Sequence, residues 1–464
     1  MIQIGKKGIH LPILVGMYLL IYNPPVFSFG ILRFNCIWPV AVFSVAYVLL
    51  NLKALKEQMS LRAAAGTEIV LGVILAYLMG IAVIHRQPVS AFGYIVYWMA
   101  GDIPFAAACW IALRKRGLGF AELADHVLIA GTAMALTAAA AFLIPAVNEF
   151  FTEIMVGYGI PYSVKLAPYR NFGLAANLTS TASYAQAVIA GIAFYRAVRG
   201  KTLWLGTFLL AAFSANINSR ASIVLIPVGM AAAGAGALWS RDRKTILRFF
   251  AFAVPAAALA YFGLGAVRLV NARAWQWLTS GIRQIGTFAA GGETAAEAVA
   301  GSADGYFEEL KLMFTPGFLP GGADLVFGAG RSISDGIENG IHSDVGFVND
   351  IWRGGLVYLL GIIALYLRTL WQMARSRTVR REDGVFLALM LLGVFAITNI
   401  KGSFFIHSDV TALIWMLVPA LCWNERQRLE VRGQRLGIRI DHSCSLTTNH
   451  YPLTTNHYPL TTIH

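Results

Sequence analysis

The chain has 464 residues, 57% of them hydrophobic and 13% charged, where soluble domains hold roughly 45–50% and about 25%. That balance excludes an ordinary soluble globular protein, and a mean hydropathy of +0.62 points to many bilayer-crossing segments, each needing about 20 mostly apolar residues. The net charge of +13 lies in short clusters between apolar runs. This is the pattern of positive charge retained on the cytoplasmic side, not of a nucleic-acid binder.

In chain order, apolar runs long enough to cross fall at 9–29, 31–52, 67–85, 89–112, 126–147 and 174–195. Six more follow at 202–217, 221–239, 246–265, 346–367, 384–400 and 404–423. The expected fold is an all-α polytopic membrane protein with about 12 transmembrane helices. Lys6 and Lys7 precede the first run with no small-x-small cleavage site after it, so that run reads as a retained signal-anchor helix.

Basic residues support the count. Lys6/Lys7, Lys53/Lys56/Arg62, Arg114/Lys115/Arg116, Arg196/Arg199/Lys201 and Arg241/Arg243/Lys244/Arg248 fall at alternate connections. So do the groups running from Arg368 to Arg381 and from Arg426 to Arg439. Both termini are then cytoplasmic. Residues 1–423 form the membrane domain and 424–464 a cytoplasmic tail, basic at first and then low-complexity, with TTNHYPL repeated at 447–453 and 454–460. Cys36, Cys109, Cys422 and Cys444 share no CxxC spacing and imply neither a zinc site nor a disulfide framework.

Two outer connections are long. The first, about 148–173, carries Phe150, Phe151, Tyr158 and Tyr162 with Pro161 and Pro168 and is expected to lie along the interface. The second, about 266–345 between the ninth and tenth helices, is the one large hydrophilic segment. A helix is expected over Tyr306 to Phe314 and turns over Pro316 to Gly330.

Charges kept on the outer side, against the topological preference, are the ones to examine, because ionisable groups near membrane depth usually serve a site. Arg170, in PYRNFG, Arg220, in NSRAS, and Arg353, in IWRGG, each stand at or just inside a helix mouth. Guanidinium groups bind phosphate bidentately, although a lone arginine there equally serves as an interface anchor. His342 and Asp344, in HSDVGF, precede an apolar helix; either suits proton removal from a hydroxyl, or capping of the helix. The HSDV tetrapeptide recurs at 407–410, where His407 and Asp409 face the same alternatives, and Asp102 is a further buried-charge candidate. No Walker A loop, dinucleotide glycine fingerprint, HExxH or Asp-x-Asp triplet occurs, so no cofactor or metal is expected.

Taken in order, these segments resemble the O-antigen polymerase and O-antigen ligase superfamily of bacterial cell-surface polysaccharide assembly. The resemblance covers roughly residues 165–370. It rests on Arg170 to Gly173 as Arg-x-x-Gly, Ser219–Arg220 opening a helix, Phe327 to Gly330 as Phe-Gly-x-Gly, and His342 to Gly355 as His-Ser-Asp-x-Gly-Phe-x-x-Asp-x-x-x-x-Gly. The last looks most like the polymerase branch. The ligase pattern has Gly eleven residues after the His, where this chain has Arg353. The family's Arg-x-x-x-Leu pattern reads Arg220 to Val224 here, with Leu225 one place later.

The resemblance implies a metal-independent glycosyltransferase of the bacterial inner membrane, without a cofactor. It would act at the periplasmic face on undecaprenyl pyrophosphate-linked oligosaccharide, in O-antigen, capsule or exopolysaccharide synthesis. Arg170 and Arg220, joined by Arg353, would bind the pyrophosphate, and His342 or Asp344 would orient or deprotonate the acceptor hydroxyl. Expected partners are the membrane, the lipid-linked substrate, a chain-length regulator and a flippase, with no nucleic acid. The alternatives are a ligase transferring glycan to a lipid A core or other acceptor, and a transporter or flippase of lipid-linked glycan. Against the transporter, the chain lacks obvious half-to-half correspondence and its non-topological charge gathers at one face rather than the midplane.

Overall fold

The computed structural model describes residues 10–24, 28–29, 32–33, 36–54, 61–87, 98–157, 171, 173–175, 181–219, 222–270, 319–331, 345–375 and 381–401, with isolated positions at 96, 275, 279, 413 and 417. Their regular elements are helices apart from one two-residue antiparallel ladder, β1 (Ser28–Phe29) against β2 (Leu32–Arg33). Four helices are long and apolar enough to cross a membrane: Phe120–Leu143, Ser222–Ser240, Gly346–Trp371 and Arg381–Asn399. Large apolar side chains also face outward, among them Phe43, Leu50, Val83 and Ile84, each more than 70% exposed. Soluble proteins rarely show such a belt.

The first half of the chain is more broken than its hydropathy predicts. Helix α1 (Leu11–Tyr22) begins with Pro12 in its first turn and stops at Asn23, whose left-handed φ of 38° closes the helix. Pro24 and Pro25 follow, so the expected 9–29 run becomes a helix of 12 residues and β1, about 18 Å long. Helix α2 (Ile37–Leu50) ends where Asn51 Nδ2 donates to Tyr47 O at 2.7 Å. Helix α3 is Leu61–Ile84. The fourth run contains a π-helical turn, Trp98–Asp102, before α4 (Ile103–Lys115); Pro104, in the first turn of α4, supplies no N–H to the helical ladder.

Helix α5 (Phe120–Leu143) starts at Gly119, whose N–H is accepted by Glu122 Oε2 at 2.9 Å. Pro145 opens α6 (Pro145–Gly157), so the first outer connection begins with a helix of its own. Apolar Val147, Phe150, Phe151 and Ile154 form one stripe of it, the spacing of an interface-seeking helix. Then come α7 (Thr181–Val198), α8 (Trp204–Asn218), α9 (Ser222–Ser240) and α10 (Arg243–Val270). The large outer loop contributes α11 (Ala323–Phe327) where turns are expected. Helices α12 (Gly346–Arg375) and α13 (Arg381–Lys401) follow. The expected helix over 306–314, nearly all of the 404–423 span and the repeat tail lie outside the described residues.

The core is built around α7, in which every residue except Arg196 is buried. It packs on α8 and α9, and α9 packs on α13. Small residues bring these helices together, as expected where lipid offers no hydrophobic drive for helix association. A Cβ at Gly229 would stand 3.1 Å from Gly191 Cα, and one at Gly191 would meet Met390 Cε at 2.9 Å. Gly229→Leu is therefore expected to destabilise the bundle by about 3 kcal/mol, at the upper end for overpacking. Gly206→Leu, where nothing lies within 4 Å of a Cβ, should leave the thermal midpoint in detergent unchanged.

Ion pairs among the described residues collect toward the two ends of the bundle. At one end, His126 Nε2 accepts from the His10 N–H at 2.9 Å, Lys115 binds Asn51, Asp125 holds Arg196 and Lys201, and Arg199 holds Glu382. Arg381 there lies 5.0 Å from the Trp239 ring centroid. These are the ends that carry the basic clusters. At the other end lie the contacts described next.

Candidate functional site

The first element is a broken helix. In α12 the backbone at Gly355 has φ 66° and ψ −172°, which separates a short leading segment, 346–354, from the long helix behind it. A helix broken at membrane depth leaves carbonyls without intrahelical partners, and these must be satisfied by protein or by a cavity. Here Trp352 O accepts the Ala329 N–H at 2.8 Å, and the Tyr77 hydroxyl reaches Gly354 O at 3.0 Å and Phe327 O at 2.9 Å. Phe327 to Gly330, the Phe-Gly-x-Gly element, is thus the partner of the break. Gly328, at φ 86°, lies so close to α12 that a Cβ would stand 2.5 Å from Gly354 Cα.

The leading segment carries charge. Asp350 is fully buried and Arg353 nearly so, with Arg353 Nη1 3.4 Å from Asp350 Oδ1 one turn apart. Asn349, also buried, donates from Nδ2 to Val345 O at 3.1 Å. The Arg331 guanidinium lies 5.1 Å from the Trp352 ring centroid, and Ala329, Val345, Val348 and Trp352 pack together beneath it. Removing one partner of a buried ion pair of this kind is expected to cost about 3–5 kcal/mol.

The second element joins the other two arginine motifs. The Asn171 N–H donates to Asn218 Oδ1 at 2.6 Å, and Asn218 Nδ2 donates back to Asn171 O at 2.9 Å. Asn171 directly follows Arg170, and Asn218 stands two residues before Arg220. Ser222 Oγ bonds Ala215 O and Ser219 O, both at 2.9 Å, which ties the start of α9 to the end of α8. Gly173, the glycine of Arg-x-x-Gly, has φ 59°, and a Cβ there would stand 2.8 Å from Ala138 N on α5. Only glycine lets this segment lie so close to the helix. Asn171 Nδ2 is buried with no acceptor among the described residues.

Of the sequence-derived site residues, Arg353 lies among the described residues, buried and paired with Asp350. Arg170, Arg220, His342 and Asp344 lie outside them, as do His407 and Asp409. Their immediate neighbours Asn171, Ser219 and Val345 are described, and all three are buried. Asp102 is buried in the π-helical turn. Among the described residues no group of three His, Cys, Asp or Glu side chains is placed to hold a metal ion.

Sequence reasoning missed Asn218, Asn171 and Tyr77. An Asn at a helix end beside Ser–Arg was a signal for the clamp; nothing in the sequence marked Tyr77, whose partners are 250 and 277 residues away. Tyr77→Phe removes one shared hydroxyl proton, worth about 1 kcal/mol. Amide exchange at Ala329 should then rise about fivefold, and an unchanged rate would mean that the break is held by other contacts. No protein-family model matches this sequence, and no curated protein matches it.

Proposed function

We propose that this chain polymerises undecaprenyl pyrophosphate-linked oligosaccharide repeat units at the periplasmic face of the bacterial inner membrane, in O-antigen, capsule or exopolysaccharide synthesis. About twelve spans with both termini cytoplasmic complete the reading, in keeping with the positive-inside pattern. The observation that supports it best is the reciprocal Asn171–Asn218 clamp, which ties the segment carrying Arg170 to the segment carrying Arg220. Arginines adjacent in sequence to the two clamped asparagines suit a pyrophosphate, whose two phosphoryl groups can each take a bidentate guanidinium.

In this mechanism Arg170 and Arg220 hold the pyrophosphate of the donor, with Arg353, paired to Asp350 at the broken helix, as a third guanidinium. The acceptor sugar hydroxyl attacks the anomeric carbon while the bond from that carbon to the pyrophosphate oxygen breaks. His342 or Asp344 takes the hydroxyl proton, and polyprenyl pyrophosphate leaves as an anion held by the arginines. A single direct displacement inverts the anomeric centre.

The test is deletion of the gene in its host, with surface and lipid-linked glycans sized by gel electrophoresis and complementation by the wild-type gene. A single repeat unit capping the surface lipid, restored to long chains by complementation, is the expected result. Long chains accumulating on the lipid carrier would make the protein a ligase. Unchanged glycan in both pools would overturn the glycosyltransferase reading and return attention to transport.

A further inference from the structure

We propose that the opposite end of the bundle holds a binding cavity for the phosphate headgroup of an acidic phospholipid. The cavity has a volume of about 380 Å³ and lies among α5, α7 and α13. Arg196, Arg199 and Lys201 line it, with Asp383 as the one lining carboxylate among the described residues. Its floor includes Phe120, Phe386 and Leu387.

Three observations point to an anionic amphiphile. First, the cations are positioned from behind. Asp125 holds both Arg196 Nη2 and Lys201 Nζ at 2.7 Å, and Glu382 holds Arg199 Nη2 at 3.0 Å. Neither of these carboxylates lines the cavity. Asp383 accepts the Tyr195 hydroxyl at 2.6 Å, which leaves the basic groups as the donors that face a ligand.

Second, donors outnumber acceptors. Arg196 Nε is buried and has no acceptor among the described residues. An ammonium has three N–H groups, and the Lys201 side chain, with one bond to Asp125, is 47% exposed. A fourth cation lies next to the same turn: a Cβ at Gly200 would stand 2.8 Å from Arg248 Nη1. Gly200 has φ 102°, and any side chain there would displace that guanidinium.

Third, the cavity sits where helices end and basic clusters gather, the level of the headgroups of the anionic cytoplasmic leaflet. Phe120, partly exposed at the cavity, gives it an apolar edge that a phospholipid covers with its glycerol and upper acyl carbons while its phosphate meets the cations.

The experiment needs no glycan and is independent of the polymerase reading. The full-length chain is purified in detergent, stripped of lipid and mixed with micelles containing equal phosphatidylglycerol and phosphatidylcholine of the same acyl chains. Retained lipid is counted by native mass spectrometry. Phosphatidylglycerol is expected to be retained in preference. Lys201→Ala should lower that preference about fivefold, the contribution of one cation at the surface, and Lys201→Arg should restore it. Lys244→Ala, at an exposed position of the same end outside the cavity, should leave it unchanged. Equal retention of the two lipids by wild type overturns the proposal whether or not the variants purify. So does an unchanged preference in Lys201→Ala, or an equal loss in Lys244→Ala, which would mark a diffuse basic surface. Displacement of phosphatidylglycerol by equimolar inorganic phosphate would assign the cavity to a soluble anion and overturn the lipid.

Discussion

Arg220→Ala is expected to reduce polymer formation from purified lipid-linked repeat units about 1,000-fold, the upper end for loss of one charge-stabilising donor. In the proposed mechanism the arginine acts on the donor pyrophosphate throughout, in binding it and in taking up its charge as the glycosidic bond breaks. Arg220→Lys should recover part of the loss, because an ammonium keeps the charge without the two-point geometry. His342→Ala and Asp344→Ala are expected to cost less, about 100-fold at most for whichever is the base, the low end for general-base catalysis. Glycosyl transfer passes through an oxocarbenium-like transition state, in which the attacking hydroxyl has given up little of its proton. Measured losses that are equal, or larger for His342 and Asp344, would remove the arginines from their leading role. Asn218→Ala should lower activity while leaving the Arg220 side chain in the protein, which separates the clamp from the charge.

Gly355→Val should destabilise the protein by about 4 kcal/mol and abolish activity. Its φ of 66° with ψ of −172° belongs to a region that is open essentially to glycine alone, and occupying it with a side chain costs about 1–3 kcal/mol. A Cβ there would also run into Val326 O and stand 2.5 Å from Gly328 N, adding a comparable overpacking cost. Those neighbours are backbone and cannot rotate away. The expected signature is a lowered thermal midpoint in detergent with fast exchange at Ala329, whose N–H is bonded to Trp352 O across the break. A wild-type midpoint for Gly355→Val would show that the break is not a required feature of α12. Gly361→Val lies on the same helix with nothing within 4 Å of its Cβ and serves as the control.

Hydropathy located the helices well where composition alone decides them. Runs 221–239 and 384–400 agree with α9 and α13 to within a few residues. Elsewhere single residues overrode the average. Pro24 and Pro25 stop α1 early, Pro104 accompanies a π-helical turn, and Pro145 begins α6 where α5 ends. Gly354 and Gly355 read as part of a glycine motif, yet the break they create depends on a loop segment more than 20 residues upstream, and no local pattern contains that information. Charge was legible in its clustering at helix ends but not in partnership. The Arg196/Arg199/Lys201 cluster reads simply as a cytoplasmic marker; its carboxylate partners on α5 and α13 follow only from the three-dimensional arrangement. Likewise Arg353 stood out as a mouth arginine, whereas Asp350 as its counter-ion emerges from their spacing on one helical turn.

The burial of α7 on all sides bears on how the chain is made. Its 18 residues include Thr181, Ser183 and Gln186, all buried, and α7 is absent from the four described helices that combine length with strong apolarity. A segment of this kind partitions weakly into lipid when it leaves the translocon. Gln186 Nε2 donates to Tyr22 OH on α1 at 2.9 Å and to Gly131 O on α5 at 3.2 Å, so partners synthesised earlier receive its polar face. If α7 crosses the bilayer as its place in the proposed twelve-span scheme requires, its retention there is expected to depend on those earlier helices, and the order of synthesis becomes part of what the sequence encodes.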